Sequence, residues 1–140
     1  MPGTSCPALI ACLLLPAGCG GTLYLAMNGT SPRPPAEVFD CVRQQIPILG
    51  FDQAPLDVDA QRLTARKHDY ETRVSDTRFR RVVDRLVIEV RKPAQGGARL
   101  KIEAHTFAEL ATQRGPTEVE QSASPAVSAA AQSLLEACGS

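Results

Sequence analysis

The chain has 140 residues, 44% hydrophobic and 21% charged, with 15 basic and 15 acidic residues that cancel. That is the size and composition of one globular domain, and the balanced charge gives no electrostatic reason to expect nucleic acid as a partner. With no Trp, two Tyr and four Phe, few rings are available for stacking bases or sugars, and the core must come from Val, Ile, Leu and Ala.

The chain opens on an apolar run, residues 6–18, CPALIACLLLPAG. It has the length of a signal-peptide hydrophobic region and falls short of the roughly 20 residues that span a bilayer as a helix. Pro7 and Pro16 also oppose a long regular helix. The run ends in PAGC, with small residues at the two positions before Cys19. This resembles the lipobox of bacterial lipoproteins, where the cysteine is lipid-modified and becomes the new first residue. Three features depart from that pattern: Leu15 lies one place early, Pro16 takes the usual leucine position, and MPGTS carries no Lys or Arg. A second match, LIAC ending at Cys12, fits the letters better but leaves only a stub of signal before it. Cys19 is preferred.

The resemblance covers the first 19 residues and implies a signal peptide over 1–18 and palmitate-type lipidation at Cys19. It also implies a domain held on the extracytoplasmic side of a cell-envelope membrane, periplasmic or at the cell surface. Plain secretion, an uncleaved anchor, or a short buried helix with Cys19 as a loop thiol are the competing readings.

Residues 19–34 read as a flexible spacer, rich in Gly, Pro, Ser and Thr, with LYLAM (23–27) as an apolar exception that packs on the domain or lies near lipid. A globular domain is expected over 35–140. Its first helix is expected over about 35–46. Pro34 and Pro35 suit the start, and Val38, Cys41, Val42 and Ile46 share one face. Pro47 is expected to stop it. ILGF (48–51) reads as a short strand start and DVDAQ (57–61) as a turn. RLTARKH (62–68) alternates as a strand, and 69–81 reads as a long polar hairpin loop or an irregular strand end. The clearest strands are RLVIEVRK (85–92) and ARLKIEAHTFAEL (98–110), which flank the turn PAQGG (93–97) as an antiparallel hairpin. ATQRGPTEVEQ (111–121) reads as a loop. A final helix starts at the N-cap Ser124 and Pro125 and ends at Gly139. Its stripe is Val127, Ala130, Ala131, Leu134, Leu135 and Cys138.

The expected fold is therefore α+β: a three- or four-stranded antiparallel meander with N- and C-terminal helices packed on one face. If Cys6 and Cys12 leave with the leader and Cys19 takes lipid, Cys41 and Cys138 remain. Each lies on the apolar face of its helix, and helices covering one sheet face bring them within reach. In an oxidising compartment they form a disulfide, worth roughly 4–5 kcal/mol by chain entropy; the alternative is two separate buried thiols. No CxxC or Cys–His spacing points to a metal.

His68 and His105 both fall on the polar phase of strands and are candidates for a shared metal or proton site, against the plainer reading of surface histidines. Asp57 and Asp59 lie in turn sequence and read as turn formers. No G-x-S-x-G, P-loop or dinucleotide glycine pattern occurs, and no cofactor is implied. RFRRVVDR (78–85) is the densest basic run; Arg78, Arg80, Arg81 and Arg85 are candidate contacts for an anionic partner, against a solvated strand end.

The leading expectation is a non-enzymatic, membrane-anchored envelope module that binds an envelope protein or ligand or assists an assembly. The alternatives are an envelope enzyme using the exposed sheet face and His105, and a structural subunit oligomerising through an edge strand.

Overall fold

The computed structural model describes residues 21–140; the expected signal peptide (1–18) and the lipidation candidate Cys19 lie outside the described residues. The elements in chain order are β1 (Leu25–Ser31), α1 (Pro35–Ile48), β2 (Asp52–Asp57), β3 (Arg62–Asp69), β4 (Phe79–Arg91), β5 (Ala98–Thr112), β6 (Gly115–Gln121) and α2 (Pro125–Cys138). β2 to β5 form a meander in the spatial order β5-β4-β3-β2. β5 is long enough to carry two partners on its other edge: β1 pairs with residues 98–104 and β6 with residues 106–112. Every pairing is antiparallel.

The α+β architecture is as expected, but the sheet has six strands instead of three or four. The extra strands, β1, β2 and β6, have turn-like compositions: β1 contains Asn28-Gly29-Thr30, β2 contains Pro55 and β6 contains Pro116. Proline cannot donate to a ladder, so it is confined to sheet edges. These are edge strands, and pairing with a stronger neighbour overrides their weak propensity. β1 lies inside the segment read as spacer, and the Leu23 carbonyl before it accepts the Ala123 amide, so the folded domain starts by Leu23 and not near residue 35.

Both helices cover one sheet face. Val38, Val42 and Ile46 of α1 and Val127, Ala131 and Leu134 of α2 join Leu63, Ala65, Leu86, Ile88, Leu100 and Ile102 in a single buried core. The alternation expected for β4 and β5 holds: Leu86–Ala104, Ile88–Ile102 and Val90–Leu100 are cross-strand partners facing the helices. Cys41 and Cys138 form a disulfide across the helix pair, with Cα atoms 5.8 Å apart and a sequence separation of 97. Arg33 donates to the Cys138 carbonyl at 3.0 Å, satisfying one of the last carbonyls of α2.

α1 runs two residues past the expected stop, with Pro47 inside its last turn. Proline there frees the carbonyl of Arg43, four residues back. The Gln53 side-chain amide donates to that carbonyl at 2.8 Å. The helix ends at Gly50, whose φ of 80° is the left-handed conformation that closes many helices. The Gly50 and Phe51 amides turn back to the carbonyls of Pro47 and Ile46 at 3.0 and 3.1 Å.

α2 begins as its sequence indicates. Ser124 accepts the Val127 amide at 3.1 Å, and Pro125 occupies the first turn. Gly29 lies under the other end of this helix. A Cβ there would stand 2.6 Å from Leu135 Cδ1 and 2.9 Å from the Gly139 carbonyl oxygen, so α2 approaches β1 closely only over a glycine.

Candidate interaction face

Because both helices sit on one side, the other side of the sheet is open among the described residues, and the polar phase of each strand lines it. The register orders that face in rows running across the strands. The row nearest the β4–β5 turn is Thr30–Arg99–Arg91. The next is Asn28–Lys101–Glu89–Arg62. Glu103–Val87–Thr64, His105–Arg85–Arg66 and Phe107–Val83–His68 follow. Glu120 pairs with Phe107 and Glu118 with Glu109 along β6.

Most charges on this face are matched within it. Glu89 sits between Arg91 and Arg62, at 2.5 and 3.3 Å. The Arg91 hydrogen bond, then that of Arg62, holds its carboxyl below the ordinary range against the opposing effect of desolvation. Lys101 lies 2.7 Å from Glu103. Their hydrogen bond lowers the carboxyl and raises the ammonium, with His105 adding to the effect on Glu103.

His105 is a half-buried ring on this face. It stacks on Tyr24 at 4.8 Å and on Phe107 at 5.9 Å between centroids. Its Nδ1 lies 2.7 Å from Glu120 and its Nε2 3.6 Å from Glu103. His68 is not part of this group. β4 separates the two histidines, and the register sets them two positions apart; His68 instead neighbours Tyr70 at 6.2 Å. Among the described residues no cluster of three or more His, Cys, Asp or Glu has metal-binding geometry. Asp57 accepts the Ala60 amide at 2.9 Å in the β2–β3 turn, the turn-forming role its sequence context indicated.

Arg78, Arg80, Arg81 and Arg85 are each turned onto a carboxylate of their own chain. Arg78 pairs with Asp76 at 3.0 Å, a contact that lowers the Asp76 carboxyl and raises the guanidinium. Arg81 pairs with Glu109 at 3.1 Å and donates to the Tyr70 hydroxyl at 2.9 Å. Arg80 stands 3.7 Å from the other oxygen of Glu109. Arg85 pairs with Glu118 and lies 4.3 Å over the Phe107 ring. Three carboxylates thus take up these four arginines, with Arg80 and Arg81 sharing Glu109.

Charge is left over at two places on the face: at Arg66, which lies opposite Arg85 and makes no ion pair among the described residues, and at the β4–β5 end. Arg91 and Arg99 are direct cross-strand partners, an unfavourable like-charge pairing unless an anion joins them. Arg99 makes no ion pair among the described residues, and Glu89 serves two cations at once. Asn28, Arg91, Arg99 and Lys101 line a concavity of about 190 Å³. A shallower recess of about 500 Å³, lined by Asn28, Gly29, Thr30 and Arg99, continues it along β1. Sequence reading missed this group. Its signal lies in the hairpin itself, because RK before PAQGG and ARLK after it bring basic residues face to face once the strands pair.

On the helix side, a cleft of about 220 Å³ opens between the end of α1 and the first turns of α2. Lys67 and Asp84 line it beside Phe51 and Ser133. The Asp84 carboxylate is buried and accepts from Thr106 at 2.6 Å and from Ser124 at 3.0 Å. Those contacts anchor α2 to the sheet. Among the described residues no helix is long and apolar enough to cross a membrane. No known protein family and no curated protein matches this chain.

Proposed function

We propose that this chain is an exported, lipid-anchored and non-enzymatic module that works on the outer side of a cell-envelope membrane. The observation that carries the reading is the Cys41–Cys138 disulfide. Structural disulfides persist in oxidising compartments, and once the leader is removed these are the two cysteines left beyond Cys19. The lipobox-like PAGC supplies the anchor. Leu23 and Tyr24 already engage the domain, through the Ala123 amide and the His105 ring, which leaves residues 20–22 as the tether, so the domain is held close to the lipid surface instead of on a long spacer. On the open face, carboxylates and cations mostly neutralise one another, which suits a binding surface better than an active site.

Metabolic labelling with a palmitate analogue tests the reading. Label on the wild-type protein that disappears in Cys19→Ala supports it. An unlabelled wild type, or label that survives the substitution, overturns it.

The edge-strand alternative draws on Leu56 and Val58, exposed apolar residues at the end of β2. Pro55 and the irregular register between Gln53 and Leu56 oppose it, since both interrupt the ladder a second chain would extend. A monomer in sedimentation at high concentration disposes of it.

A further inference from the structure

We infer that the β4–β5 end of the open face, built around Arg91, Arg99, Lys101 and Asn28, is where this domain meets the anionic headgroups of its own membrane. The inference rests on the lipid-anchor reading for its geometry and on the surface itself for its chemistry.

Three observations converge. The first is an imbalance of charge. Arg62, Arg91, Arg99 and Lys101 face Glu89 and Glu103 at this end, and Glu89 and Glu103 are already engaged, by Arg91 with Arg62 and by Lys101 with His105. Arg99 is left without an acidic partner among the described residues, directly opposite a second guanidinium. A phosphate between them would remove the repulsion and match the planar donor forks of both arginines. The second is shape. The concavity among Asn28, Arg91, Arg99 and Lys101 is small and shallow and continues along β1. That suits a headgroup on a surface rather than a deeply buried small molecule. The third is reach. The Leu23 carbonyl is held by the Ala123 amide, so the free tether runs from Cys19 to Leu23 and covers at most about 14 Å when extended. Tyr24 lies on the open face, stacked on His105, and Arg99 is six residues from His105 along β5, roughly 20 Å at strand rise. A lipid on Cys19, tethered this closely on the open face, therefore allows that face, this end included, to lie along the bilayer. A basic surface held beside anionic lipid is drawn to it, and the attraction is screened by salt.

The test is an arginine footprint of the full chain reconstituted in vesicles. A dicarbonyl reagent modifies accessible arginines, and mass spectrometry reads each site. Vesicles of phosphatidylcholine alone are compared with vesicles containing phosphatidylglycerol. The expected result is that Arg91 and Arg99 react at least about threefold more slowly on the anionic vesicles and regain their reactivity in roughly 0.5 M salt. Arg43, on the helix layer and paired with Asp40, should react equally on both and serves as the internal reference. Equal reactivity of Arg91 and Arg99 on the two vesicles overturns the inference. So does protection that needs an acidic protein and not anionic lipid. The same spectra report whether Cys19 carries lipid. If it is bare, the anchor reading fails, and the footprint repeated by adding both vesicles to the unmodified chain decides the face by itself.

Discussion

Ser124 donates its hydroxyl to both carboxylate oxygens of Asp84, at 3.0 Å each, and accepts the Val127 amide with the same oxygen. Thr106 completes the group: its hydroxyl donates to Asp84 at 2.6 Å and accepts the Ser124 amide at 2.8 Å. One buried carboxylate thus ties the N-cap of α2 to two central strands, with each hydroxyl used once as donor and once as acceptor. The capping serine is legible in the sequence; the carboxylate that holds it comes from β4, 40 residues earlier.

Replacing Ser124 with Ala should therefore cost more than an ordinary cap. Loss of a cap costs about 1 kcal/mol, and a buried carboxylate deprived of a donor adds about 1–3 kcal/mol. Urea denaturation of Ser124→Ala, Asp84→Ala and the double variant should show a coupling of at least about 0.5 kcal/mol. Strictly additive effects would show that the two residues act independently.

The disulfide should be complete in the mature protein and should matter for stability. Mass spectrometry without reductant should find neither Cys41 nor Cys138 as a free thiol; two free thiols would refute the bond. Cys41→Ala with Cys138→Ala should lower unfolding free energy by about 2–5 kcal/mol, because a closed loop spanning a separation of 97 residues restricts the unfolded chain. An unchanged denaturation midpoint would mean that the helix pair holds without it.

Gly29 should resist enlargement even though it lies in an edge strand. Gly29→Ala places a methyl against Leu135 and the Gly139 carbonyl, and overpacking of this kind costs about 1–3 kcal/mol. Adding Leu135→Ala should recover part of the loss, since Leu135 Cδ1 is the nearest atom. If the double variant is no better than the sum of the singles, the approach of α2 to β1 is not set by this contact.

Acid should weaken the fold through the open face. Glu89 and Glu103 are held below their ordinary value of 4.5, chiefly by Arg91 and Lys101 respectively. In the unfolded chain they take up protons near that value; in the folded chain they do so only at lower pH. Their contribution is therefore present above about pH 4.5 and is lost as the pH falls through the lowered folded values. The denaturation midpoint should fall between about pH 5 and pH 3, and Glu89→Gln with Glu103→Gln should make that fall shallower. An acid limb unchanged in the double variant would assign the acid sensitivity to other carboxylates.

How much was legible follows the strength of each local signal. α2 could be read almost to the residue because cap, stripe and terminating glycine agree. The β4–β5 hairpin was equally clear because two alternating runs flank a glycine-rich turn. β6 was read as a loop because Pro116 and its charged positions mask a period-2 pattern that pairing with β5 completes. Arg78, Arg80, Arg81 and Arg85 stood out as a dense basic run; Asp76 beside Arg78 is local, but only the fold reveals that Glu109 and Glu118, far along the chain, take up the other three.

By itself the sequence determined the α+β class, the two amphipathic helices, the central hairpin and the pair of cysteines facing one core. Those follow from periodicity and from turn and cap residues, which act over a few positions. The tertiary structure alone decided that 25–31 is an edge strand, that α1 continues past Pro47 because Gln53 takes the freed carbonyl, and that Arg91 and Arg99 face each other across an open sheet. Each depends on partners distant in the chain, and no local pattern encodes which distant partner a backbone group or a charge will meet.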